Sequence, residues 1–159
     1  GGGRRAGGGG VESALVAKKA AAMYLVDLPG YGHANINRKE RERWKEVLVG
    51  YLSTRPLHIL RRTLLLVDAR RGFKRSDREM VVLLERLRVP YQVVLTKIDL
   101  LKQNELIRVV EGICQAIFKE RHTGCFPIMH CVTCKDNSSL VELAGFIQDI
   151  VDEMKQLSK

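Results

Sequence analysis

The sequence predicts a three-layer α/β domain on a mostly parallel sheet, and three observations predict it. Runs such as "RTLLLVDA" and "YQVVLTKID" are continuously apolar, as strands covered on both faces are. They alternate with helical patterns of ten residues or more, the signature of βαβ units. The chemically distinctive residues also cluster just after the apolar runs, at Asp27, "DARRG", "TKID" and "VTCKD". In open parallel sheets, ligands bind at the carboxyl ends of the strands.

The elements follow in order. "VESALV" and "AMYLVD" read as an antiparallel hairpin around a polar turn, Ala17 to Ala21. In "ERWKEVLVGYL", Trp44, Val47, Leu48, Tyr51 and Leu52 share one helix face. "RTLLLVDA" reads as a fully buried strand. "SDREMVVLLERL" reads as a helix with a capping box, Ser76 and Glu79, ahead of a stripe of Met80, Leu83, Leu84 and Leu87. "YQVVLTKID" is another buried strand, "QNELIRVVEGICQAIFKE" a helix and "FPIMHCVT" a strand. "SSLVELAGFIQDIVDEMKQL" closes the chain as a helix with a second box, Ser139 and Glu142.

With 159 residues there is material for about one domain. Residues 1–10, "GGGRRAGGGG", read as a Gly/Arg-rich flexible lead or switch-region remnant, and residues 11–156 as the folded domain. Hydrophobic content of 45% and charged content of 28% are those of a globular chain. No run of eighteen apolar residues is available to span a bilayer, and no membrane partner is expected. Lys+Arg 27 against Asp+Glu 18 leaves a net charge of +9, which favours a polyanionic partner such as nucleic acid. Four cysteines without a visible signal peptide suggest a reducing compartment and no disulfide partner.

In "TKID", an aspartate held past a strand end can accept two parallel hydrogen bonds from the N1 and N2 edge of guanine. Adenine offers no matching donors and leaves the carboxylate unpaired, which discriminates the two bases strongly. The Lys97 stem can lie across the base while Thr96 ties the loop down. In "DLPG", Asp27 suits Mg²⁺ held through water, and the N–H of Gly30 can approach a terminal phosphate without a side chain in the way. Asp-x-x-Gly arises by chance in about half of chains this long, so its weight comes from its placement after a strand and ahead of "TKID".

"LVDLPGYG", "ERWKEVLVGYL", "RTLLLVDARRGFKRSD", "VPYQVVLTKIDLL" and "VTCKDNSSLVEL" together resemble the EngB-type GTP-binding proteins, a family of translation-factor-related GTPases. The resemblance covers roughly Val11 to Met154. It implies a P-loop NTPase-like fold, GTP/GDP and Mg²⁺ as ligands, GTP hydrolysis, and a part in assembly of the large ribosomal subunit with rRNA as partner. By position it assigns Asp27 and Gly30 to Mg²⁺ and the γ-phosphate, and Thr96, Lys97 and Asp99 to guanine. Thr133 and Cys134 fall where the family has a loop whose backbone N–H meets the guanine oxygen. Tyr31 stands where many GTPases carry a water-orienting glutamine, which implies slow, partner-dependent hydrolysis.

The chain departs from the family at its front. It contains no Gly-x-x-x-x-Gly-Lys-[Ser/Thr], and the family's first strand, phosphate loop and first helix are missing from it. In the family that strand lies between the counterparts of "AMYLVD" and "RTLLLVDA". The expectation is therefore a longer gene product, with these elements encoded upstream of Gly1.

Arg70, Arg71, Lys74 and Arg75 make a ligand-side basic edge that suits rRNA phosphates, with Arg61 and Arg62 at the other end of the same strand. "NRKERERWK" alternates sign and reads as a solvated helix face. Cys131 and Cys134 in "CVTC", with Cys125, His122 and His130 nearby, admit a metal or redox module as an alternative. A second alternative is a pseudo-GTPase that serves as an rRNA-binding or structural component. The Thr133-Cys134 loop and the arginine-glycine lead suggest an organellar version, mitochondrial ahead of plastid, with the bacterial cytoplasm as the remaining option.

Overall fold

The computed structural model describes residues 16–157 apart from 21, 22, 29, 31–36, 57, 120 and 121. The elements are β1 (Val16–Ala20), β2 (Met23–Asp27), α1 (Arg38–Thr54), β3 (Thr63–Asp68), α2 (Arg75–Arg86), β4 (Tyr91–Thr96), α3 (Gln103–Lys119), β5 (His130–Val132) and α4 (Ser138–Leu157). Strands β3, β4 and β5 form a parallel sheet in that order, and β1 and β2 form a separate antiparallel pair.

Register decides what each face of the parallel sheet carries. Leu65 lies beside Val93 and Val67 beside Leu95, and with Tyr91 these side chains join one apolar cluster. The cluster also takes Leu48 and Leu52 from α1, Met80, Val81 and Leu84 from α2, and Ile113 and Ile117 from α3. The opposite face holds Gln92, Val94, His130 and Val132, and α4 packs on β5. The central strand β4 is buried from Tyr91 to Leu95, as its apolar character predicts, with Gln92 the polar exception.

Strand β3 departs from its sequence reading. Leu65 and Val67 are buried, but Leu66, pointing to the other face, is 57% exposed. A strand is buried on both sides only where both faces are covered, and the Leu66 face of β3 is left partly open. Strand β2 departs further. It pairs only with β1 among the described strands, not with the parallel sheet, and its Tyr24 and Leu25 are exposed.

Several boundaries move for local reasons. Ala17 to Ala20, read as a turn, are strand: Ala20 pairs with Met23, so only two residues separate the arms. Residues 11–15 and the 1–10 lead lie outside the described residues. Helix α1 starts with a capping box that sequence reading missed: the Glu40 N–H donates to Asn37 Oδ1 at 2.9 Å, and the Asn37 N–H to Glu40 Oε2 at 3.4 Å. Helix α2 begins before Ser76. The Lys74 N–H donates to Asp77 Oδ2 at 2.6 Å and the Asp77 N–H returns to the Lys74 carbonyl at 3.1 Å, while Glu79 pairs with Arg75 instead. At α4, Ser139 and Glu142 form no box, because Ser139 bonds Thr133 and Glu142 faces His130. The strand read in "FPIMHCVT" shrinks to three residues, preceded by a single bridge from Cys125 to Tyr91.

Candidate nucleotide-binding site

The strand ends of β4 and β5 build the better-defined half of a site. Strand β4 stops at Thr96, whose hydroxyl donates to the Val67 carbonyl of β3 at 3.3 Å. Lys97 then adopts a left-handed backbone, φ 60°, and a 3-10 turn of Ile98–Leu100 carries Asp99. A non-glycine residue in this region is uncommon, and here it turns the chain across the strand end. Thr133, buried just past β5, donates from Oγ1 to Asp99 Oδ1 at 2.6 Å, and Lys135 Nζ lies 3.2 Å from Asp99 Oδ2. The Thr133 hydroxyl bond, with Lys135 adding to it, holds the Asp99 carboxyl below its ordinary range. Each carboxylate oxygen has room for a further donor, so both can meet a two-donor base edge.

In the loop after β5, the Thr133 N–H donates to Ser139 Oγ at 3.1 Å, so Thr133 reaches Asp99 through its hydroxyl. That oxygen also accepts the Lys135 N–H at 3.0 Å. Cys134, next in line, is exposed.

Sequence reading missed two participants, Lys135 and Asp68. Asp68 ends β3 directly beside Thr96. Its carboxylate accepts the Arg70 N–H at 3.1 Å, Arg70 Nε at 3.1 Å and Nη2 at 2.7 Å, and Lys97 Nζ at 2.9 Å. These bonds, Arg70's side chain foremost, hold the Asp68 carboxyl well below the usual carboxylate range. The available signal was an aspartate closing "LLLVD" in register with the end of "VVLT".

The phosphate half is less complete. Asp27 ends β2, in the other sheet, and Gly30 lies just after it, both exposed. Tyr31 lies outside the described residues. Among the described residues no three His, Cys, Asp or Glu side chains converge as a metal site. Asp27 offers one carboxylate, which fits the Mg²⁺ habit of binding through one or two carboxylates, water and substrate phosphates.

The basic edge is divided in its uses. Arg70 is engaged with Asp68, Arg75 pairs with Glu79, and Arg71 and Lys74 are not buried. At the other end of β3, the Arg62 guanidinium lies 3.0 Å from the Phe126 ring centroid, and burial lowers its pKa. All four cysteines are free. Burial pushes the Cys125 and Cys131 thiols up, which weakens both as thiolate ligands. No helix among the described residues is long and apolar enough to cross a membrane.

A βαβ sheet whose strand ends carry a Thr-Lys-x-Asp loop braced by the loop after β5 defines a GTP-binding domain of the translation-factor class. The family model of the elongation factor Tu GTP-binding domain matches residues 51–157, and the chain belongs to that family. Within it, the chain is similar to EngB proteins. It is 39% identical over 127 residues to the probable GTP-binding protein EngB of Roseobacter denitrificans, covering 80% of this chain and 57% of that one. Against the EngB of Rhodospirillum rubrum the identity is 44% over 106 residues, 67% of this chain and 44% of that one. The chain thus spans about half the length of these curated bacterial relatives. A crystal structure of a probable GTP-binding protein EngB shares the fold, with a TM-score of 0.67 at 20% identity, covering 90% of this chain and 86% of that one. Members of the family take GTP or GDP, with Mg²⁺ as the usual cofactor.

Proposed function

We propose that this domain selects guanine nucleotides through Asp99 and belongs to a GTP hydrolase acting in assembly of the large ribosomal subunit. The observation that supports it most is the Thr133–Asp99–Lys135 constellation, which keeps one carboxylate charged and aimed from a strand end. Asp99 accepts the N1 and N2 donors of the base, Lys97 covers the ring, and Thr96 fixes the loop to β3. Asp27 holds Mg²⁺ through water, and Gly30 meets the terminal phosphate. When bound, the ion neutralises charge on the phosphates. Tyr31 in place of glutamine makes intrinsic hydrolysis slow, so turnover depends on a partner. That partner is a ribosomal particle, met through rRNA phosphates at Arg70, Arg71, Lys74 and Arg75. The compartment is the mitochondrion.

Asp99→Asn tests base selection. Its amide can donate to the oxygen that xanthine carries at C2, so preference moves from GTP to XTP by roughly 10²- to 10⁴-fold. Competition binding of GTP, ATP and XTP reads it; a wild type indifferent to GTP and ATP, or a variant with unchanged preference, refutes the proposal. Replacing Arg70, Arg71, Lys74 and Arg75 with Glu weakens particle binding and flattens its salt dependence. Binding unchanged across several salt concentrations removes that patch as the rRNA contact. Import of the tagged gene product into mitochondria supports the compartment, and its recovery in plastids or the cytosol overturns it.

A further inference from the structure

Asp68 touches neither base nor phosphate in the reading above, yet its carboxylate gathers four hydrogen bonds beside the site. Its side chain is 19% exposed against 53% for Lys97, so the carboxylate is the fixed partner and the lysine the one being held. Arg70 grips it bidentately through Nε and Nη2 and caps it from the backbone, leaving little freedom to turn away. Parallel register sets Asp68 beside Thr96, and the Thr96–Val67 bond ties the two strand ends together next to it.

We infer that Asp68 is a positioning residue for guanine selection, holding the Lys97 stem across the base cleft before nucleotide arrives. This rests on the guanine-reading role of the "TKID" loop. The physical reason is entropic. Fixing a lysine side chain costs rotamer freedom, and ordering it in the free protein removes that cost from the binding step. The left-handed Lys97 backbone sets the side chain where its Nζ reaches the end of β3, and Arg70 keeps its anchor charged and oriented. The relay Arg70–Asp68–Lys97 therefore acts on affinity through Lys97 alone.

A double-mutant cycle on the protein tests it, with GDP affinity as the readout. Asp68→Asn keeps the shape and still accepts the Arg70 N–H but loses the charge that holds the ammonium. It weakens GDP about five- to tenfold, the scale of a partly exposed charge-assisted bond. In a Lys97→Met background the same change moves affinity less than about twofold, because its route of action is gone. A merely structural role predicts equal weakening in both backgrounds, and that result overturns the inference. So does an Asp68→Asn protein that binds GDP like the wild type. If Asp68→Asn fails to fold, as thermal unfolding reports, Asp68→Glu, which keeps the charge and displaces it, enters the same cycle under the same criteria. A wild type that binds guanine nucleotide while Asp68→Asn has no effect sinks this inference alone; a wild type that binds none sinks it together with the guanine reading.

Discussion

Leu65 and Leu66 are neighbours of identical chemistry on one strand, and the fold separates them. Leu65 is 2% exposed, beside Val93 in the main apolar cluster, whereas Leu66 is 57% exposed beside Val94 on the opposite face. Leu65→Ala removes buried methyl groups and leaves a cavity in a close-packed cluster, at a cost of about 3 kcal/mol within a usual spread of 2 to 5. At Leu66 less than half of the side chain leaves water on folding and solvent can fill the space, so Leu66→Ala costs about 1 kcal/mol or less. The difference, about 2 kcal/mol, is roughly thirtyfold in the unfolding equilibrium constant. For a chain of this size it separates the two melting temperatures by about 4 to 8 °C. Urea unfolding of the 159-residue chain followed by circular dichroism, fitted with a shared slope, measures both variants. Equal losses would show the two faces of β3 to be equally covered and would refute its one-sided packing.

Two further perturbations address the local chemistry. Asp77→Ala removes the acceptor of the Lys74 N–H at the start of α2 and costs about 1 kcal/mol, while Ser76→Ala costs less than about 0.5; the reverse order in urea unfolding would restore the Ser76–Glu79 box. Thr133→Val removes the foremost cause of the lowered Asp99 pKa, so the carboxyl titrates closer to its ordinary value of 3.8. Because the folded pKa is depressed, the stability it contributes is present above 3.8 and is lost as pH falls through the folded value, so in Thr133→Val that contribution is smaller and its loss is complete at a higher pH. A carbon-13 titration of Asp99 reads the midpoint, and an identical midpoint in both proteins would contradict the assignment.

The sequence by itself determined the parallel core and the Thr-Lys-x-Asp loop at its strand end. A short apolar-rich run such as "YQVVLT" favours a strand covered on both faces, and a polar Thr-Lys-x-Asp following it falls at the strand end where ligands bind. Helices α3 and α4 were legible for the same reason, since their apolar periodicity outweighs any single capping residue. Only the tertiary structure decided what depends on neighbours. Leu66 reads like Leu65 until it is known which faces are covered. Ser76 and Ser139 both carry an acidic residue three places on, yet Asp77 caps α2 and Ser139 serves Thr133, because a hydroxyl or carboxylate bonds whichever donor the packed backbone presents. Asp68 became a partner of Lys97, 29 residues away, and Thr133 of Asp99, 34 residues away, because parallel register brings strand ends together that no local pattern relates. Sequence periodicity reports how one segment buries itself, and the pairing between segments sets which charges meet.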